Sequence, residues 1–442
     1  TRDTFYDEEE KFWNTFSPEL EEYQQAWKAA MLESKFRPEF TAEYGDLMFV
    51  NAEIARKCFT PEIIPEMQQE NDLVQAYEKL LASAQIPFEG KTYTLSQLTP
   101  LKSDPDDARR LAAWQADAKW SMEHAAELDE LYDKLVHLRD SMGRKMGYEG
   151  YTTLGYYRMS RNCYTKEDVE KFRTAVQKYL VPVADKICRR QAERLGKSYP
   201  LSFADLALEF RSGNPCPVGT PDDILAQGMK FYGELSPETK EFFRTMLDNE
   251  LLDVLSTEGK QGGGYCTSLG EYEVPFIFAN FNGTQHDVEV GTHQAGHAFA
   301  AYMNRDRIPY SYVWPSMEAC EVHSMSMEFF AWPYMDKFFG EDAAKYRFAH
   351  ALDALSFIPY GTIVDAFQHI VYENPDMTPA ERKAAWLELE HQYRPHISMD
   401  GMTYLEEGTR WQYQMHIYES PFYYIDYCLA QTAAFDFLLA SQ

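Results

Sequence analysis

The chain of 442 residues has no surplus of basic charge: 42 lysines and arginines stand against 70 aspartates and glutamates, a formal charge of −28. That deficit argues against a nucleic-acid partner, because phosphates are gripped by clustered Lys and Arg. Acidity on this scale serves solubility first and favours basic peptides only slightly. Long apolar runs are missing too, and none approaches the roughly 18 residues a membrane span needs. The seven cysteines (58, 163, 188, 216, 266, 320, 428) include no C-x-x-C pair. Such an odd, dispersed set suits reduced thiols better than a disulfide framework. The first ten residues, Thr1 to Glu10, are too acidic and polar for a signal peptide, and Thr1 is not an initiator Met, so residue 1 is not read as the natural start. These absences lead to the expectation of a soluble cytoplasmic protein with no membrane partner. Oligomeric state is left open.

What is present is core-forming and aromatic. Hydrophobic residues make up 45% and aromatics 15%, with 30 tyrosines, enough for one large domain or two to three ordinary ones. Tyrosines in such number suit both packing between helices and the lining of a peptide channel.

Helical signals dominate. A helix is expected over about 7–35, another from Thr60-Pro61-Glu62 with proline at its first position. The stretch Ile86 to Leu95 reads as a short hairpin or loop. Asp104-Pro105-Asp106-Asp107 opens a long helix running to Met146-Gly147. Tyr151 to Tyr164 reads as an aromatic loop, and Thr165 caps a helix ending near Leu195-Gly196. A soft boundary is placed at Tyr164/Thr165, giving an N-terminal helical lobe, 1–164, and a second lobe, 165–442. No Pro/Gly/Ser-rich linker separates them, so they are expected to pack as one unit. Further helices are expected from Thr220-Pro221 and Ser236-Pro237, then over 316–338, 342–373, 379–393 (with a capping box at Thr378 to Glu381) and roughly 411–440.

The clearest strand is Val274 to Phe281, preceded by the glycine turn at Gln261 to Cys266. It ends at Asn282-Gly283-Thr284, just before a helix bearing His293 and His297. A free edge on this strand would let an extended peptide pair with it by β-augmentation. Gly264, Tyr265, Ala279 and Asn280 are the candidate substrate-binding residues there. Two histidines four apart on a helix project from one face and reach one metal ion, the geometry of the H-E-x-x-H motif. The glutamate of that motif is absent: Gln294 stands in its place.

A catalytic zinc site needs a third protein ligand and an open position. A third histidine six residues on is excluded, because that position is Met303. The following helical stretch offers three glutamates instead. Glu321 and Glu328 lie seven apart on one face, placed to supply one ligand and one carboxylate that orients a histidine. Glu318 is the reserve.

Taken together, these residues resemble the oligoendopeptidase F branch of the thimet-oligopeptidase-like zinc metallopeptidases. The resemblance also covers Gly264-Tyr265-Cys266, Asn280 to Thr284, Asp287-Val288, Glu321-Val322-His323-Ser324, Ile358-Pro359-Tyr360-Gly361 and His416 through Tyr427. It implies a mainly α, two-lobed gluzincin-type peptidase, with a small β-sheet beside the metal-binding helix and a deep channel for short peptides. It also implies a chain trimmed at both ends, since family members extend further. It makes His293, His297 and Glu321 the ligands of one Zn²⁺ per chain, with Glu328 supporting a histidine. His416, Tyr424 and Tyr427 match the family's catalytic residues on a loop that closes over substrate, with Tyr423 as the alternative for one tyrosine. The implied reaction is hydrolysis of short oligopeptides by metal-activated water.

Gln294 departs from that pattern at the general-base position. Glutamine is nearly isosteric with glutamate but accepts no proton at neutral pH. Two explanations follow: an engineered Glu→Gln change in an otherwise complete site, which the intact surroundings favour, or a natural pseudo-peptidase that binds peptides without cleaving them. A peptide-sequestering protein with a purely structural metal would need a fourth protein ligand, and neither His323 nor Cys320 stands in register to provide one. A helical scaffold without metal would be indifferent to a chelator.

Overall fold

The computed structural model describes residues 3–441. Thr1, Arg2 and Gln442 lie outside it, and with them the reading of residue 1. Helices carry most of the chain, and three small sheets complete it among the described residues. The opening helix spans Thr4–Leu32, with the Asp3 carboxylate accepting from the Phe5 N–H at its start. The longest, Asp107–Lys145, starts where Asp106 accepts from the Arg109 N–H at 2.9 Å. The 86–93 segment is an antiparallel hairpin, Ile86–Phe88 against Lys91–Tyr93.

The largest hydrophobic core mixes residues from both sides of the 164/165 position: Tyr77, Leu135 and Tyr151 pack with Phe367, Trp411 and Tyr418. The rings of Tyr77 and Tyr418 stack with centroids 3.9 Å apart. Polar ties cross the same line, with Arg139 donating to Tyr418 O at 2.5 Å and Arg161 paired with Asp426 at 3.1 Å.

A second core surrounds a three-stranded sheet and the histidine helix, His286–Met303. Here the structure corrects an expectation. Val274–Phe281 is the central strand, parallel to Leu252–Leu255 on one side and antiparallel to Tyr265–Leu269 on the other. It therefore has no free edge for a peptide. The edge next to the glycine turn belongs to Tyr265–Leu269. Burial alternates along the central strand, so Pro275, Ile277, Ala279 and Phe281 face the core. Ala279 is fully buried and offers a ligand nothing. Asn280 points the other way and donates to the Gln261 and Gly263 carbonyls, both at 2.9 Å, tying down the glycine turn.

Four local expectations also change. The helix read over 316–338 ends at Phe330 and is followed by a turn at Trp332–Tyr334 and a short helix, Asp336–Phe339. Tyr151–Arg158 is a helix rather than a loop, because burial of Tyr151, Leu154 and Tyr156 outweighs the weak helix preference of its Tyr, Thr and Gly residues. The helix after Thr165 passes through a π-helical turn, Val176–Leu180, just before Pro182, which has no N–H to continue a regular ladder. The 411–440 stretch is not one helix. A short helix, Met415–Glu419, is followed by a loop at 420–424 and then by Ile425–Ala440. Pro421 and Phe422 make the break. Phe422 adopts a left-handed φ of 68°, a conformation that costs a bulky residue about 1–3 kcal/mol. Burial of its ring, its N–H donated to Gln368 Oε1 at 2.9 Å and its carbonyl accepting from Arg161 hold it there.

Candidate metal centre

The histidine helix follows the central strand through a tight turn closed by Asp287, whose two carboxylate oxygens accept the Asn282 and Gly283 N–H groups, each at 2.8 Å. Against it packs the glutamate helix, Met317–Phe330. Gly296 sets their separation: a Cβ there would lie 2.7 Å from Ser324 Cα and 2.8 Å from the His323 carbonyl oxygen. Only a residue without a side chain permits that approach, and the approach brings Glu321 under the two imidazoles.

His293 Nε2 and His297 Nε2 converge on Glu321 Oε2, at 3.2 and 3.4 Å. The three potential ligand atoms lie within 4.8 Å of one another, in the only such group of three among the described residues. Two imidazoles and a carboxylate are a donor set that suits zinc. Glu318, the reserve, is engaged elsewhere, accepting from Ser316 Oγ at 2.6 Å. Glu321 is almost wholly buried, yet contacts with His293 and His297 hold its carboxyl well below the ordinary carboxylate range. Ser324 Oγ donates to its Oε2 at 3.0 Å, and the Tyr423 hydroxyl donates to its Oε1.

Glu328 stands one layer back. Its Oε1 lies 2.7 Å from His293 Nδ1, and its Oε2 lies 2.7 Å from Nε2 of His350 on the helix Ala343–Glu373. Burial favours its neutral form, but the two histidines outweigh burial and hold its pKa at about 2. Trp332 Nε1 donates to His350 Nδ1 at 3.0 Å, which leaves the His350 Nε2 proton for Glu328. His350 is a site residue that sequence reading missed. No short-range spacing links it to the H-x-x-x-H pair.

Gln294 lies on the same helix, 7% exposed, and its Oε1 has no hydrogen-bond partner among the described residues. His297 Nδ1 is likewise without one.

The 415–427 segment closes the other side. His416 Nε2 lies 3.2 Å from the Tyr427 hydroxyl. Tyr360 donates to Gln414 Oε1 at 2.8 Å, which turns the Gln414 amide nitrogen toward His416 Nδ1 at 2.9 Å. That chain of donors leaves the His416 proton on Nε2, facing the site. Burial depresses the His416 pKa to about 4, so the ring is neutral at pH 7. Burial also keeps the Tyr423 and Tyr427 phenols protonated. Tyr424 contributes its ring, edge-on to His416 at 4.8 Å. Of the three tyrosines, Tyr423, read from sequence as the alternative, is the one whose hydroxyl reaches a metal-ligand candidate. A cavity of about 250 Å³ lies beside the group, lined by Glu328, His350, His416, Tyr424 and Tyr427. Gly263 of the glycine turn lies against Met415, next to His416, and Tyr265 stacks on Phe278 with centroids 4.9 Å apart.

Residues 238–439 match the model of peptidase family M3, and residues 1–59 match the peptidase M3 N-terminal domain. A crystal structure of a protein assigned as oligoendopeptidase F superposes with a TM-score of 0.98 at 48% identity, covering 100% of this chain and 78% of that one. The chain belongs to peptidase family M3, as an oligoendopeptidase F-like member.

This M3 chain is equally similar to PZ peptidase A, solved with an inhibitor: TM-score 0.98, 48% identity, 99% of this chain and 78% of that one. An assigned oligoendopeptidase F from Bacillus anthracis str. Ames gives a TM-score of 0.92 at 45% identity, with 99% and 76% covered. Oligopeptidase PepF of Bacillus subtilis (strain 168) is 26% identical over 220 residues, 48% of this chain and 31% of PepF. The aligned part is thus about a third of that relative's length. No helix among the described residues is long and apolar enough to cross a membrane.

Proposed function

We propose that the protein is a zinc-dependent oligoendopeptidase whose general base has been replaced, so that as written it binds short peptides and hydrolyses them negligibly. The observation that carries the reading is the convergence of His293, His297 and Glu321 on one point beside a cavity, with Gln294 on the same helix. Membership of family M3 supports it.

His293, His297 and Glu321 would hold Zn²⁺, which supplies acidification of a water and polarisation of the scissile carbonyl. Glu328 accepts the His293 Nδ1 proton and so fixes the tautomer that presents Nε2. Tyr427, whose hydroxyl accepts from His416 Nε2–H and keeps its own proton to donate, faces the site for an oxyanion on the substrate carbonyl. His416 and Tyr423 are donors that substrate would redirect from Tyr427 and Glu321. The free edge at Gly264 and Tyr265–Leu269 is the candidate for pairing with the peptide backbone. The unpartnered Gln294 Oε1 occupies the place of a carboxylate oxygen but holds no proton at neutral pH and takes up none. A cytoplasmic location, in keeping with seven unpaired cysteines, belongs to the same proposal.

The test is Gln294→Glu. Cleavage of a quenched fluorescent peptide of under ten residues is expected to rise by about 10²–10⁴-fold or more. A zinc-loaded Gln294→Glu protein that cleaves no short peptide overturns the reading. A natural pseudo-peptidase and an engineered one behave alike in this assay, since both lack only the base.

A further inference from the structure

The cavity beside the candidate metal ligands has a neighbour. Phe357 and Asp353 line both it and a second hollow of about 430 Å³. Among the cations lining that hollow, Lys102 is paired with Asp117 at 2.5 Å and Arg394 with Glu390 at 3.2 Å. Arg410 is different. Among the described residues its guanidinium has neither ion pair nor hydrogen bond, and it sits over the ring of Tyr360 at 5.2 Å. Glu390, whose charge acts on it, is already engaged by Arg394.

Arg410 is half-buried, and its unpaired guanidinium nitrogens stay accessible in the hollow that it lines. Of the 70 acidic residues in the chain, none among the described residues forms an ion pair with Arg410. The planar fork of a guanidinium matches a carboxylate in two parallel hydrogen bonds, a geometry no lysine reproduces. Arg410 is also at peptide distance from the chemistry. Tyr360 packs edge-on to Tyr424 with centroids 6.1 Å apart, and Tyr424 packs on His416 at 4.8 Å. Two rings therefore separate Arg410 from His416, a span of roughly two to five extended residues at 3.3–3.6 Å each.

We propose that Arg410 anchors a carboxylate of the bound peptide, and so selects peptides that place one a few residues from the bond held at the metal centre. The inference rests on the reading of this channel as a peptide channel. The carboxylate has two sources, the peptide's C-terminus or an Asp or Glu side chain, and the two are separable.

The experiment is fluorescence anisotropy on the zinc-loaded chain with Gln294, using N-terminally labelled peptides of four to eight residues. One peptide has neutral side chains and a free C-terminus, and the second is its amide. A third, amidated, carries Asp or Glu at successive positions, and the fourth is its Asn or Gln counterpart. A free carboxylate in reach of Arg410 is expected to tighten binding roughly tenfold or more, as hydrogen bonds between charged groups do. Loss on amidation identifies the C-terminus, and loss on Asp→Asn or Glu→Gln identifies the side chain. In Arg410→Gln the ratio falls to near one, while Arg410→Lys retains part of it. The acid-to-amide comparison on the unaltered protein needs no variant, so a poorly folded Arg410→Gln does not obscure the result. Equal binding of all four peptides overturns the proposal, as does a carboxylate preference that persists in folded Arg410→Gln. If no peptide binds, and Gln294→Glu cleaves none, the peptidase reading fails and this inference with it.

Discussion

Glu328 Oε1 accepts from His293 Nδ1 at 2.7 Å, while its second oxygen is held by His350 at the same distance. One carboxylate thereby sets the tautomer of a metal-ligand candidate and is itself fixed by a residue on a different helix. Replacing it by Gln294's neutral amide chemistry, Glu328→Gln, keeps shape but removes the strongest acceptor. Zinc affinity is expected to fall about 10–100-fold, measured by competition with a chromogenic chelator. Unchanged affinity would place Glu328 outside the site's function.

Zinc should also appear in the protein's stability. A ligand that binds only the folded state adds about 3 kcal/mol at a hundred times its dissociation constant. Thermal unfolding with zinc and after chelator treatment is therefore expected to differ by several degrees. Coincident melting curves would favour the metal-free scaffold.

Gly296→Ala tests the helix contact that assembles the candidate ligands. The new Cβ would lie 2.7 Å from Ser324 Cα, backbone that cannot swing aside. Overpacking of this kind destabilises by about 1–3 kcal/mol. Urea denaturation should show the loss, and zinc affinity should fall with it, because Glu321 moves away from both histidines.

Tyr423→Phe, made in the Gln294→Glu background, removes the hydroxyl that reaches Glu321. A drop of about 10²–10³-fold in kcat with a smaller change in KM is expected if the phenol serves the oxyanion. The same loss in Tyr424→Phe, with Tyr423→Phe silent, would exchange their roles.

A structural prediction concerns acid. Glu70 is buried against Arg139 at 2.6 Å and Arg158 at 2.8 Å; burial alone would raise its pKa, but the two guanidinium groups hold it at about 2. A folded pKa below the unfolded value means the contribution is present above about pH 4.5 and is lost as pH falls toward 2. On the order of 3 kcal/mol is involved. Urea denaturation between pH 6 and pH 3 should show a steeper decline for the unaltered protein than for Glu70→Gln.

Much of the site is legible in the chain because helical periodicity is a local code. The spacing of His293 and His297, and the seven-position separation of Glu321 and Glu328, place each pair on one helix face whatever surrounds it. Caps at Asp106, Thr165, Thr220 and Thr378 mark helix starts for the same reason. What lies between elements is not encoded at that range. His350 joins Glu328 across 22 residues and Tyr423 reaches Glu321 across 102. The break at Phe422 depends on Gln368 and Arg161, neither of them near it in sequence. The strand 274–281 has the alternation of any half-buried strand, and nothing in it tells a central position from an edge. The neighbours decide that. Local chemistry thus determined the candidate ligand pair, the glutamate face and the place of Gln294 beside them. Tertiary packing alone decided which strand lies at the sheet edge, which tyrosine reaches the Glu321 carboxylate, and that Arg410 has no ion pair among the described residues.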